Sequence, residues 1–326
     1  MRHFRYIYII GLLFAAACSK SEVEKPDNSI SFSPVASKAT KAIISGVTYP
    51  EGESFVVSAY LNGTNAYFED LTASYSLTQN GIKLWATSQN QYWPLSGSLD
   101  FYAYSPSSAS SYGVDIDATN GVTATDYSVQ DNTQMTTDLC YASATVADCE
   151  NHPDSVPLTF SHALTQVVFR VKAAAYYTTN TTTVNLSMTS LSLSGIYSIG
   201  DFASGAWTNQ NTAYTYTLSN TETALTYDGE NAPQTSEVCS FLFLPQEIPA
   251  DACIHVGYKV TQRSSGNDYT LENSPVAVRL AGSISDWQPG KKYIYTLSIG
   301  MDNVITFTAS AVGWQDENAN IIVEEN

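Results

Sequence analysis

Short runs in which apolar and polar residues alternate recur along this chain, and none of them is followed by a helical repeat. Leu99, Phe101 and Ala103, for example, would face one side of a strand while Asp100 and Tyr102 face the other. Glycines and prolines separate the runs at roughly the spacing found in β-sandwiches. Because no helical period lies between the runs, parallel βαβ units are excluded. The sequence therefore predicts an all-β protein.

The predicted strands share this alternation and are bounded by polar or glycine-containing turns. They cover residues 30–35, 55–61, 82–85, 99–104, 165–172, 184–193, 214–218, 238–244, 254–260, 276–280, 293–299 and 304–311. Residues 105–155 are the least periodic part of the chain, and we place a domain boundary near their end. This predicts an N-terminal domain over 30–152 and a C-terminal domain over 153–326.

One predicted strand contains a change of phase. Apolar residues occupy the even positions Val184, Leu186 and Met188, but the odd positions Leu191 and Leu193. A slip of one residue turns every later side chain to the opposite face. The sequence therefore predicts a β-bulge or tight bend at residues 189–190.

The N-terminus has the pattern of a secretion signal. Arg2 and Arg5 precede an apolar run over residues 6–17, which is too short to be a stop-transfer helix. Three alanines then precede Cys18 and resemble a bacterial lipobox, which predicts cleavage before Cys18 and a diacylglycerol on its thiol. The alternative is an ordinary secretory signal with Cys18 unmodified. Residues 18–29 are polar and contain Pro26, as expected of a flexible tether between lipid and fold.

The charge balance limits the partners. The chain has 14 basic and 31 acidic residues and a net charge of −17. Neutralisation of phosphates needs basic clusters, so a nucleic-acid partner is excluded. Attraction to anionic headgroups is excluded for the same reason. Any attachment to a membrane must then come from the lipid on Cys18.

Four further cysteines would reach a compartment where disulfides form. Cys239 and Cys253 flank a predicted hairpin centred on Gln246, and counting from that centre places them opposite each other. Cys140 and Cys149 enclose eight residues of the irregular segment. Both pairs are candidate disulfides; free thiols or a metal site are the alternatives. A zinc site is disfavoured because no Cys-x-x-Cys pair exists and only His152 and His255 lie near the cysteine pairs.

No sequence motif of catalysis is present. A Gly-x-Ser-x-Gly elbow, a His-Glu-x-x-His helix and a phosphate-binding loop are all missing, so we expect no enzyme, no cofactor and no metal. For His162 we expect packing or a backbone hydrogen bond. The tryptophans are expected mainly in the core, with a sugar-stacking platform as the alternative; they are Trp85, Trp93, Trp207, Trp287 and Trp314.

A set of segments in a fixed order resembles the fimbrillin family of Bacteroidetes, whose members are lipoprotein-derived pilus subunits. After the lipobox-like stretch these segments are ISFSPVASKATKA (30–42), YWPLSGSLDFYAYSP (92–106), VPLTFSHALTQVVFRV (156–171), FLFLPQ (241–246), WQPGKKYIYTLSI (287–299) and ITFTASAVGW (305–314). The resemblance implies two tandem transthyretin-like β-sandwich domains.

The resemblance also implies an assembly mechanism. A protease would cut after Lys41, or after Lys38, and remove the first strand, residues 30–35. A C-terminal segment of the next subunit would then fill the vacated groove. In this chain the donor would come from the region after Trp314, where residues 321–323 are the only apolar run.

The expected function is accordingly a structural pilus subunit or a fimbrillin-like surface adhesin. The expected location is the outer membrane and cell surface or fimbrium, with attachment through the lipid on Cys18 before maturation. Expected partners are other pilin subunits and surface ligands of a host or of bacteria. The alternative is a lipid-anchored glycan-binding lipoprotein, which would need exposed, coplanar aromatic side chains.

Overall fold

A computed structural model describes residues 28–36, 49–77, 83–130, 137–282, 284–301 and 304–314. Within these residues the chain is built from strands, with one short 3₁₀ helix at Ser107–Tyr112. No helix in these ranges is long and apolar enough to cross a membrane. The predicted all-β class is confirmed. The transthyretin-like topology of two sandwiches stays a prediction.

The strands are numbered in chain order. They are β1 (Phe32–Ala36), β2 (Ser54–Leu61), β3 (Asn65–Leu77), β4 (Lys83–Thr87), β5 (Leu99–Ser105), β6 (Val114–Asp117), β7 (Gly121–Ser128), β8 (Cys140–Val146), β9 (Val156–His162), β10 (Thr165–Ala173), β11 (Thr182–Ala203), β12 (Ala206–Ser219), β13 (Thr223–Ala224), β14 (Ser236–Phe243), β15 (Gln246–Glu247), β16 (Cys253–Ser264), β17 (Asn267–Arg279), β18 (Asp286–Trp287), β19 (Lys291–Ile299) and β20 (Ile305–Gly313).

The first strands form a closed barrel in the order β1-β4-β3-β2-β5-β8-β9. Alternation places one side of each strand in its interior. In β5, Leu99, Phe101 and Ala103 are fully buried, as the sequence predicts, while Asp100 and Tyr102 are half-buried. Aromatic side chains dominate this core, and burying one of them contributes roughly 1.5–3 kcal/mol.

Most of the remaining strands form two further sheets that share a second core. One has the order β14-β10-β19-β20, and the other has the order β17-β16-β11-β7-β6, with β12 and β13 also paired to β11. The strand β10 contributes Val167, Phe169 and Val171 to this core, and β11 contributes Leu191 and Leu193 from the opposing sheet. A two-stranded ladder of β15 and β18 completes the fold.

The predicted bulge is present. The pairing of β11 with β16 shifts by one residue between Met188 and Ser190. Met188 and Leu191 are both fully buried, so the extra residue returns the apolar side chains to the core after the change of phase. The prediction at residues 189–190 is therefore confirmed.

The irregular region contains more structure than its composition predicts. Strands β6, β7 and β8 all lie within residues 105–155. β6 and β7 join the sheet of β11, while β9, beyond the predicted boundary at 152–153, pairs with β1 and β8 in the barrel. Strands that precede and follow the predicted boundary therefore occur in both the barrel and the sheet of β11. The division into two domains at residues 152–153 stays a prediction.

Candidate functional site

The first strand of the barrel is the candidate functional element. Along its whole length β1 runs parallel to β9, from Phe32 opposite Val156 to Ala36 opposite Phe160. On its other side it pairs with β4 at one position only, Phe32 opposite Trp85. β1 therefore closes the barrel between β4 and β9 and is held mainly by β9.

Side chains of the first strand alternate between the core and the outside. Ile30, Phe32 and Pro34 point inward and are buried, whereas Val35 is exposed. The Phe32 ring makes edge-to-face contacts with Phe55 at 5.8 Å and with Phe101 at 5.9 Å between centroids. Such aromatic contacts add about 0.5–1.5 kcal/mol each beyond the burial of area. The predicted strand over 30–35 thus packs into an aromatic pocket that includes Phe55 and Phe101.

Polar contacts anchor the start of this strand. The Ile30 amide donates to the Gln91 carbonyl at 2.7 Å, and the Val156 amide donates to the Ser31 carbonyl at 2.7 Å. The Ser31 hydroxyl also donates to the Asp154 carbonyl at 3.1 Å. The backbone of residues 30–36 therefore completes the hydrogen bonds of two neighbouring segments, which would be unpaired without it.

Several predicted site residues lie outside the described residues. These are the lipidation residue Cys18, the cleavage residues Lys38 and Lys41, and the donor segment 321–323. The connector 37–48 joins the end of β1 to Tyr49, which is fully buried and donates or accepts a hydrogen bond with Ser105 at 2.8 Å. The two ends of the connector are therefore attached to the barrel.

All four cysteines in the described residues are free thiols. The hairpin expected to pair Cys239 with Cys253 is not formed. Cys239 lies on β14 opposite Phe169 of β10, whereas Cys253 lies on β16 opposite Ser194 of β11, in another sheet. Counting from a turn fails here because the strands before and after residue 246 have other partners.

The second candidate pair is separated along a strand. Cys140 begins β8, opposite Ser105, and Val146 ends it, opposite Leu99. The Cys149 amide donates to the Gly97 carbonyl beyond that far end. A strand of this length spans about 20 Å, and a disulfide needs Cα atoms within about 7 Å. The structure does not bring Cys140 and Cys149 together.

A buried polar group lies at the start of β8 and the end of β9. Nδ1 of His162 lies 2.8 and 2.7 Å from the two carboxylate oxygens of Asp138, and Sγ of Cys140 lies 3.4 Å from the same nitrogen. Burial, reinforced by the Asp138 charge, raises the pKa of the Cys140 thiol well above its usual value. The expectation of simple packing for His162 misses this carboxylate contact.

The same three side chains are the described residues best placed to hold a metal ion, because their ligand atoms all lie within 4.8 Å of one another. The nitrogen–oxygen distances are those of a hydrogen bond to a carboxylate. In the sequence the only signal is that Asp138 lies two residues before Cys140, and the pairing of Cys140 with His162 is needed to bring the three side chains together.

The other histidines have structural contacts. His152 stacks on Trp93, with ring centroids 4.5 Å apart, and its Nε2 lies 2.9 Å from Oδ1 of Asn28. Nε2 of His255 lies 2.8 Å from the Ser194 hydroxyl. Neither histidine belongs to a group with two further metal-ligating side chains among the described residues.

The tryptophans serve the core. Trp85, Trp93, Trp287 and Trp314 are buried, and Trp207 is half-buried with its indole N–H donated to the Ala163 carbonyl at 2.6 Å. The expected core role is confirmed for the four buried residues. They form no exposed platform on which a sugar could stack.

Comparison with solved structures finds similar chains at low identity. A candidate cell adhesion protein of Bacteroides uniformis is 17% identical over 89% of this chain and 100% of its own, with a TM-score of 0.50. The fimbrial anchor protein Mfa2 of Porphyromonas gingivalis is 10% identical over 88% of this chain and 97% of its own, with a TM-score of 0.37. A search among curated proteins finds no match.

A family model described as fimbrillin-like matches residues 40–314, which is most of the chain. The match includes the barrel after β1 and the two sheets of the second core, up to the last described strand. The chain therefore belongs to the fimbrillin-like family.

Proposed function

We propose that this protein is a cell-surface pilus subunit or adhesin that is exported as a lipoprotein on Cys18 and assembled by donor-strand exchange. Membership of the fimbrillin-like family supports a structural or adhesive role at the cell surface. One observation supports the assembly step. The first strand, β1, lies between β4 and β9 and closes the barrel.

Removal of the first strand would leave a specific defect. The backbone groups of β9 that pair with β1 over residues 156–160 would lose their partners. The aromatic pocket around Phe55 and Phe101 would lose the ring of Phe32. An unpaired strand edge beside an apolar groove is the kind of surface that captures an extended segment of another chain.

Proteolysis in the connector would release that strand. Lys41 is the first candidate for the cut and Lys38 the second, and both lie in a segment of small residues, ASKATKA. Short segments with small side chains are favoured sites of proteolysis when they are exposed. A cut at either lysine separates β1 from β2 and from the rest of the chain.

The donor would come from a second subunit. In this chain the apolar run after Trp314 is Ile321, Ile322 and Val323, and we propose that this segment enters the groove of the next subunit. Head-to-tail donation joins two different surfaces, the donor segment of one subunit and the groove of the next, and open-ended repetition of this contact produces a fibre. Other pilin subunits are therefore the proposed partners, with the outer membrane contacted through the lipid before maturation and surface ligands of a host or of bacteria contacted afterwards.

Limited digestion of the mature protein with trypsin tests this proposal. We expect one early cut after Lys41 or Lys38, detected by intact mass, and filaments in electron micrographs of the digest. The Lys38→Gln, Lys41→Gln variant is the matched control and should remain uncut in the connector and monomeric. A connector that resists trypsin in the unmodified protein, or a cut protein that stays monomeric, would contradict donor-strand assembly.

A further inference from the structure

An uncharged loop lies where the chain enters the fold from its lipid tether. Tyr92, Trp93, Pro94 and Leu95 follow β4 and form what is here called the Tyr92–Leu95 loop. Trp93 is buried, but Leu95 is 90% exposed and Tyr92 is 47% exposed. The whole segment 88–98 contains no charged residue, although the protein carries a net charge of −17.

Hydrogen bonds fix the first described residue to this loop. The Trp93 amide donates to the Asn28 carbonyl at 3.0 Å, and the Asn28 side-chain amide donates to the Trp93 carbonyl at 3.3 Å. Ser29 forms an antiparallel bridge with Tyr92, and Asn28 also contacts His152 at 2.9 Å. The point at which the tether joins the fold is therefore a neighbour of Tyr92 and Leu95.

The length of the tether limits how far this loop can lie from a bilayer. The ten steps from Cys18 to Asn28 span at most about 35 Å when fully extended. As a flexible coil they span about 17 Å. With the lipid of Cys18 inserted, Asn28 therefore lies at most about 35 Å from the lipid-bearing residue, and the Tyr92–Leu95 loop is hydrogen-bonded to Asn28.

We infer that Tyr92 and Leu95 rest on the lipid surface while the protein is anchored. Tyrosine is favoured at the level of the headgroups, and an exposed leucine gains free energy by leaving water for the acyl boundary. The inference rests on the lipid anchor of the proposed function. The contact orients the lipidated protein with the tether end of the barrel toward the membrane.

Neighbouring charges limit the depth of this contact. Cys149 donates its amide to the Gly97 carbonyl beside the loop, and its neighbours Asp148 and Glu150 are exposed. Carboxylates are costly in the hydrocarbon region and are repelled by anionic headgroups. The contact is therefore shallow and suits a neutral, zwitterionic lipid surface.

A depth measurement tests the inference. A bimane probe is attached at Leu95→Cys in the lipidated protein, in a background with Cys239→Ser and Cys253→Ser to avoid labelling the two half-buried thiols. The protein is reconstituted in phosphatidylcholine vesicles with brominated acyl chains. The matched control is Leu271→Cys, since Leu271 is an exposed leucine of β17. We expect at least a twofold loss of fluorescence at position 95 and none at position 271.

The outcomes separate the inference from the function on which it rests. Intact mass first shows whether Cys18 carries the lipid. A lipidated protein whose probe at position 95 is as bright as the control overturns the membrane contact and leaves the anchor in place. A mass without the lipid overturns the anchor and the membrane contact together. A probe at Tyr92→Cys repeats the measurement at a second position of the same loop.

Discussion

The indole of Trp314 lies flat on the imidazole of His162, with ring centroids 4.0 Å apart and an angle of 8° between the planes. Trp314 follows the end of β20, and His162 ends β9 of the barrel. Both side chains are buried, and His162 is held from its edge by Asp138. The last described residue is thus packed against the strand that also holds β1.

Truncation of this indole should destabilise the protein. Trp314→Ala removes the stacking and leaves a cavity, and large-to-small changes of this kind cost about 3–5 kcal/mol. Urea unfolding followed by circular dichroism measures the free energy of unfolding. Trp314→Phe keeps an aromatic ring on His162, so its free energy of unfolding should decrease by clearly less. An alanine variant as stable as the phenylalanine variant would show that the stack contributes little.

The first strand offers a matched pair of substitutions. Phe32→Ala removes a fully buried ring from the contacts with Phe55 and Phe101, and we expect a loss of about 3–5 kcal/mol in unfolding free energy. Val35→Ala changes the exposed face of the same strand and should cost less than about 0.5 kcal/mol. After cleavage in the connector, the Phe32→Ala strand should also dissociate faster. Equal effects of the two substitutions would show that the contacts of Phe32 with Phe55 and Phe101 do not hold the first strand in the barrel.

The cysteines should behave as protected free thiols. Burial raises the pKa of Cys239 to about 12, with the charge of Glu237 adding to the effect, and burial also raises the pKa of Cys149. Because the thiolate is the reactive species, Cys149 and Cys239 should react slowly with a thiol reagent at pH 8 in the folded protein. A protein beginning at Ser19 should show four thiols in denaturant without reductant. Fewer than four would restore the disulfides inferred from spacing.

Buried tyrosines should make the protein sensitive to alkali. Burial raises the pKa values of Tyr49, Tyr216 and Tyr295 above their ordinary value of 10.0. A folded pKa above the unfolded one means that the stabilisation is fully present below about pH 10 and is lost as the pH rises toward the folded values. We expect the urea concentration at the midpoint of unfolding to decrease as the pH is raised above 10. Complete phenolate absorbance near pH 10 in a protein that remains folded would contradict this.

The alternation of apolar and polar residues along the chain predicts much of the local structure. The pattern of β5 assigns its buried face correctly, and the change of phase between Met188 and Leu191 locates the bulge of β11. These features depend on the side-chain period of two within a single segment. The ordered segments that resemble fimbrillins are likewise local patterns, and the match of the family model to residues 40–314 confirms the family.

Strand partners were decided only by the tertiary structure. The alternation of side chains along a strand shows which residues share a face. It does not show which distant strand completes the backbone hydrogen bonds. The pairing of β1 with β9 is one such outcome of the fold. Others are the positions of Cys239 and Cys253 in different sheets and the pairing of β7, with β6 beside it, to β11.

The buried group at the end of β9 illustrates the same limit. Asp138, Cys140, His162 and Trp314 come from β8, β9 and the end of β20, or from positions next to them, and they contact one another only after those strands have found their partners. The sequence alone determined many of the strands, the buried face of β5, the bulge of β11 and the family. The fold determined which of those faces meet, because burial and backbone pairing are satisfied between segments far apart in the chain.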